Sequence, residues 1–138
     1  MLAKQDYWER FRKCLSLLKE KRQRTVYRLT LVKDWNMNEV TDYADLVKLG
    51  EPDFIEIKGV TYCGDHGSSS LTMKNVPWHS EVKNFSEELC KIAKGTNFEY
   101  GLACEHAHSC CILLANRTKF HKVNVKALVV PVLELRSG

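Results

Sequence analysis

Two stretches hold the side chains from which chemistry can be built. Cys104-Glu105-His106-Ala107-His108-Ser109-Cys110-Cys111 is the densest run of ligand-type residues in the chain. In an extended strand Cys104, His106, His108 and Cys110 share one face, because side chains alternate. Two thiolates and two imidazoles are a set that zinc accepts. The spacing C-x-H-x-H-x-C fits no usual structural zinc pattern, however, and four same-face positions spread over about 20 Å at ~3.3 Å per residue. As small buried hydrophobes the cysteines need no metal.

The second stretch runs from Pro52 to Gly64. Phe54, Ile55, Ile57 and Val60 make it apolar on both faces, as in a parallel strand covered by helices. Glu56 and Lys58 interrupt that run. Buried charge is unfavourable unless paired or used. Either the two form an ion pair or barrel-interior contact, or Lys58 serves a site at the strand's C-terminal end, where α/β folds place their chemistry. A half-desolvated lysine there is a candidate base or imine-forming amine. In a purely structural role it would pair with Glu56 or Glu105.

The surrounding elements must position these groups. Tyr7, Phe11, Cys14, Leu15 and Leu18 form one helical stripe and predict a helix over 5–22. Residues 25–33 are rich in β-branched and aromatic types and predict a strand. A helix over 38–49 follows, capped by Asn36 or Asn38 and closed by Gly50, with Pro52 preventing its return. The strand at 54–60 leads into a loop from Cys63 to Pro77, long enough to suggest function. Val82, Phe85, Leu89 and Ile92 predict a helix over 79–94 that Gly95 ends. Residues 98–105 predict a third strand, and Ile112–Ala115 either continue it or form another. This alternation predicts parallel strands with right-handed crossovers. Their C-terminal ends then share one rim, bearing Lys33 to Asn36, Lys58 to Cys63 and Cys104 to His108, a set suited to a polar ligand. Val123–Leu135 is apolar and β-prone, with Pro131 inside it, and joins no pattern.

The 138 residues suffice for one domain but fall short of the ~200 that a complete α/β barrel needs. A composition 44% hydrophobic and 28% charged is that of a globular chain, not of a disordered or fibrous one. No apolar run nears the ~18 residues of a membrane span and no signal-peptide core follows the N-terminus, so a cytoplasmic protein with free thiols and no membrane partner is expected. Residues 1–24 hold eight Lys and Arg against Asp6, Glu9 and Glu20, a surplus of five cations where the whole chain has a surplus of four. Such a segment either meets phosphates or is a solvated helix face. No G-x-x-x-x-G-K-[ST], G-x-S-x-G, H-E-x-x-H or C-x-x-x-C-x-x-C occurs.

Four segments together are more specific: Arg28 to Lys33, Pro52 to Gly64, Ser69 to His79 and Ala103 to Ser109. They closely resemble the C-terminal half of the radical-SAM domain of the tRNA 4-demethylwyosine synthases, the wybutosine-synthesising family. The resemblance spans about residues 5–122. It implies an α/β fold, a partial (β/α) barrel of three parallel βα units, with residues 1–122 belonging to the radical-SAM domain and 123–138 a divergent tail. It implies a lyase that condenses pyruvate with N1-methylguanosine-37 of phenylalanine tRNA. S-adenosylmethionine, a [4Fe–4S] cluster and, through a domain not seen here, FMN are the family's cofactors. The chain alone is expected to bind none of them.

By the same resemblance Lys58 is the catalytic candidate. Tyr62, His79, Glu105, His106 and His108, with Arg10 and Lys13 of the basic segment, are candidates for substrate or tRNA contacts. Lys33 and Asn36 match the region that holds S-adenosylmethionine. A non-catalytic tRNA-binding truncated paralogue and a small Cys/His metal protein are the alternatives. The chain reads as a fragment, a truncated paralogue or an incomplete gene product that lacks the N-terminal half of the barrel as its partner. Three βα units leave two raw sheet edges, so the isolated chain is expected to fold poorly and to be inactive. A sharp unfolding transition with dispersed amide spectra would contradict the folding half of that expectation.

Overall fold

The computed structural model describes residues 2–64, 70–95 and 98–120; the tail at 123–138 lies outside them. Helix α1 spans Leu2–Leu18, strand β1 Val26–Leu31, helix α2 Val40–Gly50 and strand β2 Phe54–Gly59. A short 3₁₀ turn at Met73–Asn75 precedes helix α3, His79–Ile92. Strand β3, Tyr100–His106, turns through a 3₁₀ segment at Ala107–Ser109 into strand β4, Cys111–Asn116, and one turn of helix, α4, covers Arg117–Phe120. Among the described residues no helix is long and apolar enough to cross a membrane.

The four strands form one sheet in the order β1-β2-β4-β3. The pair β1 and β2 is parallel, as expected. The expectation of parallel strands throughout fails at β4, which lies between β2 and β3 and is antiparallel to both. Only Ala107 to Cys110 join β3 to β4. A parallel crossover needs about a dozen residues or more, so this link can make only a hairpin. Cys110 takes a left-handed conformation, φ 50°, to close it. Residues 111–116 are therefore a strand of their own, and three parallel βα units are not what this sheet contains.

Helices α2 and α3, with α1 beside them, pack on one face of the sheet, while Phe120 of α4 stacks on Phe54 on the other. Tyr27 and Leu31 of β1, Ile55 and Ile57 of β2, and Ile112 and Leu114 of β4 join Ala44 and Val47 of α2 and Val82, Phe85 and Leu89 of α3 in one dry core. The period-two alternation of each strand sorts these residues to that face. Gly50 is the last residue of α2 rather than the residue beyond it. Its role is close approach: a Cβ there would strike the Tyr27 hydroxyl and lie 2.9 Å from the Leu15 carbonyl. Glu51 instead takes the left-handed position, φ 43°.

Neither expected asparagine caps α2. Glu39 occupies that position without a side-chain cap bond. Helix α1 ends at Leu18, short of the predicted boundary, and its stripe is only partly used. Leu15 is buried, whereas Tyr7, Trp8 and Phe11 are exposed, with Trp8 stacked on Phe11 at 5.6 Å.

This core is continuous from α2 through the sheet to α3, which favours cooperative folding over the loose behaviour expected from the edges alone. Urea unfolding of the 138-residue chain should show one transition. Replacing fully buried Ile57 with Ala should lower its stability by about 2–5 kcal/mol.

Candidate functional site

Strand β3 runs in the same direction as β1 and β2, because β4 is antiparallel to β2 and to β3. The C-terminal ends of β1, β2 and β3 therefore do share one rim, with β4 entering the sheet there. The register also aligns side chains in rows. Thr30, Lys58, Cys111 and His106 are consecutive Cα partners and form the row nearest the rim. The next row is Arg28, Glu56, Leu113 and Cys104. Both rows lie on the face opposite the core residues Ile55, Ile57 and Ile112, since neighbours along a strand alternate.

The two charges that interrupt β2 are thus accounted for. Glu56 accepts from Arg28 Nε at 3.1 Å and lies 3.8 Å from Cys111 Sγ. Lys58 is half-buried, and no carboxylate of the described residues is within ion-pairing distance of it. The expected pairings with Glu56 or Glu105 do not form, because Arg28 takes the first and His79 with Lys83 take the second.

Glu105 falls on the helix side, beside α3. His79 Nε2 donates to Glu105 Oε2 at 2.9 Å, and Lys83 Nζ stands 3.6 Å from Oε1. The His79 hydrogen bond, then the Lys83 charge, hold the Glu105 carboxyl below its usual range. His79 Nδ1 is buried without a partner. His106 and His108 are exposed at the hairpin, their rings 6.2 Å apart and nearly perpendicular, and His106 Nδ1 meets Ser109 Oγ at 2.6 Å. The 3₁₀ segment at Ala107–Ser109 breaks the extended run, so only Cys104 and His106 of the four presumed ligands share a strand face. Among the described residues no three His, Cys, Asp or Glu side chains are grouped to hold a metal ion. Tyr62 is half-buried just beyond β2.

Lys33 and Asn36 are engaged by the fold itself. Asn36 Oδ1 accepts from Val32 N at 2.7 Å, while Nδ2 donates to the Thr30 carbonyl at 2.9 Å and to Tyr43 Oη at 3.2 Å. Lys33 Nζ pairs with Glu81 Oε1 at 3.3 Å. Arg10 pairs with Asp6 on the exposed face of α1, and Lys13 is exposed on the same helix.

Sequence reasoning missed the clamp that holds this rim. Buried Asn75 donates from Nδ2 to the Lys33 carbonyl at 2.8 Å, and its own carbonyl accepts from Lys33 N at 2.7 Å. Its Oδ1 takes the Thr72 amide at 3.0 Å. Glu81 Oε1 receives both Lys33 Nζ and the Trp78 amide, the latter at 3.2 Å. Two strand-end loops are so tied together. The detectable signal was an Asn-Val-Pro-Trp run three residues before Glu81 on a new helix, the arrangement of a first-turn carboxylate reaching back to a helix start.

Residues 49–116 match a family model described as wyosine base formation. The chain is 62% identical over 121 residues to the S-adenosyl-L-methionine-dependent tRNA 4-demethylwyosine synthase of Oryza sativa subsp. japonica, and 58% identical over 120 residues to that of Danio rerio. These alignments take in 88% and 87% of this chain but only 18% and 15% of the relatives. A solved structure of TYW1 with a lysine-pyruvate adduct bound superposes at a TM-score of 0.68 and 25% identity, covering 86% of this chain and 35% of that one. An archaeal TYW1 crystal structure agrees in fold, with a TM-score of 0.62 at 24% identity over 88% of this chain and 36% of that one.

Two measurements check the geometry. Asn75→Ala strands the Lys33 and Thr72 groups and should cost about 1–3 kcal/mol in urea unfolding. Glu105 contributes stability that is full above the unfolded carboxylate pKa and is lost as pH falls through its lowered folded pKa. Glu105→Gln should therefore lower the urea midpoint at neutral pH, and the gap from wild type should close at acid pH.

Proposed function

The chain resembles one portion of the tRNA 4-demethylwyosine synthases, with a wyosine base formation domain at residues 49–116, and we propose that it serves as the C-terminal part of their radical-SAM barrel. On this reading the sheet face opposite α2 and α3 is a wall of the barrel lumen. The missing N-terminal half would pair with the edge of β1 and cover the exposed Trp8 and Phe11. A groove of about 730 Å³ between α1, β1 and α2, floored by Leu15, Leu18, Tyr27 and Leu46, lies where such a neighbour would sit. The observation that carries the reading is the row Thr30, Lys58, Cys111 and His106, lined up at the rim on the sheet face away from α2 and α3.

The reaction is the joining of pyruvate carbons to N1-methylguanosine of a tRNA, with S-adenosylmethionine as the radical source. The sequence lacks a cluster-binding cysteine triplet, and the described residues do not fit a [4Fe–4S] cluster. On this reading cluster and FMN would be held by other parts of the enzyme. Lys58 is the one lysine in the four strands, and it would contribute a half-buried cation to the lumen. It would meet the pyruvate carboxylate or act as a base. The adduct in the solved TYW1 shows that lysine chemistry on pyruvate occurs in that protein, and trapping decides whether Lys58 takes part. His106 and Tyr62 flank the same rim as substrate contacts, and His108 stands beyond them. His79 and Glu105 hold the rim from the helix side. The loop shaped by Asn36 and Lys33 would border S-adenosylmethionine.

The alternative, a non-catalytic tRNA-binding chain, draws on the turn after α1. Lys19, Lys21, Arg22 and Arg24 are all exposed there, available to phosphates.

The test replaces the matching segment of the rice synthase with this chain and measures 4-demethylwyosine in phenylalanine tRNA by mass spectrometry. The chimera should be active and this chain alone inactive. Lys58→Met in the chimera should lower activity by about 10²-fold or more. A folded but inactive chimera would sink the proposal. Borohydride trapping with pyruvate distinguishes an imine at Lys58 from a purely electrostatic role, in which Lys58→Arg retains most activity. Retention of salt-sensitive tRNA binding by an inactive chimera would favour the alternative.

A further inference from the structure

The two tryptophans at the rim have no part in the core. Trp35 is 53% exposed and Trp78 is 74% exposed, with Met73 between them in sequence at 63%. A solvent-exposed indole ring offers a wide flat face for contact at low conformational cost. Their backbones, in contrast, are firmly held. Trp35 N donates to the Val32 carbonyl at 3.0 Å, inside the turn that Asn36 closes. Trp78 follows buried Pro77 and opens α3, its amide on Glu81 Oε1 and its carbonyl accepting from Glu81 N at 3.0 Å.

Lys33 joins the two mounts, because it shares Glu81 Oε1 with Trp78 and lies two residues before Trp35. The rings are thus carried on two segments joined by one clamp, solvent-exposed, with their backbones held. Exposed Lys74 follows Met73 on the same loop.

We infer that Trp35 and Trp78 form a stacking platform for unpaired RNA bases at the rim, with Lys74 receiving a neighbouring phosphate. This rests on the reading of the chain as part of a tRNA-modifying enzyme and assigns it a contact outside the lumen row. Exposed flat π-faces on held backbones, with exposed Lys74 on the loop that leads to Trp78, match single-stranded RNA, whose splayed bases stack on aromatic side chains. A protein partner would be better served by a contiguous apolar patch, whereas here the two rings sit on different segments of the chain. Rigid mounting also limits the entropy lost on binding.

The test titrates the 138-residue chain with a fluorescein-labelled anticodon stem-loop RNA and with a fully paired duplex of equal length. The stem-loop should bind more tightly than the duplex. Trp35→Ala and Trp78→Ala should each weaken stem-loop binding by roughly 5- to 100-fold, without changing the dependence of affinity on salt. Lys74→Ala should instead reduce that salt dependence by about one phosphate. Trp78→Phe, which keeps a ring, should restore most of the binding and guards against misfolding, with circular dichroism confirming the fold of each variant.

Equal binding by wild type and both alanine variants would overturn the platform and leave the enzyme reading standing. So would equal affinity for loop and duplex. No binding of either RNA by wild type overturns it as well, as does a change in self-association of the variants in place of a change in RNA affinity. An inactive chimera alongside tryptophan-dependent loop binding would reject the enzyme reading alone.

Discussion

A strand in the middle of a sheet has two faces, and only one of them can be dry in this molecule. Ile55 and Ile57 of β2 are wholly buried against α2 and α3. The alternation of the backbone then forces Glu56 and Lys58 to the other side. Nothing else in the site has this much leverage. A one-residue slip of β2 would carry both charges into the core and both isoleucines out of it, at a cost of several kcal/mol for the buried charges alone. The register that fixes the core therefore also fixes the polar rows, and the chemistry of the uncovered face is a consequence of the packing of the covered one.

The rim is held by a different device. β1 and β2 each end in a loop, and a loop end carries backbone groups that the ladder no longer satisfies. Asn75 and Glu81 meet that need across the chain. The first bonds both backbone groups of Lys33, and the second joins the Lys33 ammonium to the start of α3. On the far side His79 and Lys83 of the same helix hold Glu105 at the end of β3. Helix α3 thus ties β1 to β3 from behind, and the positions of two strand ends are set by the first turns of one helix.

The elements were legible because their signals are local. Apolar spacing marked the stripe of α3, β-branched runs marked β1 and β2, and Gly50 with Pro52 marked the end of α2. The antiparallel β4 was missed because Cys111–Asn116 carries no directional signal of its own; the evidence lay in the four residues before it, too few for a crossover. The rim survived that error because a hairpin inserted between β2 and β3 leaves the direction of β3 unchanged. At the level of side chains, Lys58 and His106, both singled out in the sequence, fall in one row on the sheet face away from the core. Asn75 was not found, since its partners lie 42 residues away at Lys33 and pairings at that range leave no pattern in sequence. The cysteine and histidine run misled for the opposite reason. Its period-two spacing was real, but the turn at Ala107–Ser109 interrupts the strand on which that spacing depends.

The two ends of the sheet also differ in how completely they satisfy their own polar groups. At the N-terminal end of β2, buried Asp53 takes the Thr25 amide at 3.0 Å and Lys119 at 3.1 Å, and the Asp53 carbonyl accepts from Asn116 N at 2.9 Å. The Tyr100 hydroxyl donates to the Pro52 carbonyl at 2.6 Å, and burial pushes its pKa well above the ordinary value, so it stays protonated and remains a donor. Phe120 stacks on Phe54 at 4.9 Å and closes that end. Donors and acceptors there are matched within the chain, which leaves little for a ligand to gain. At the opposite end Lys58, His108 and the rings of Trp35 and Trp78 have no such internal match among the described residues. Binding free energy is available only where folding has left groups unsatisfied. The rim pairs Lys33 and Glu105 through Asn75, Glu81 and His79 yet leaves Lys58 without a carboxylate among the described residues, and it is the end at which strands of α/β proteins present their sites.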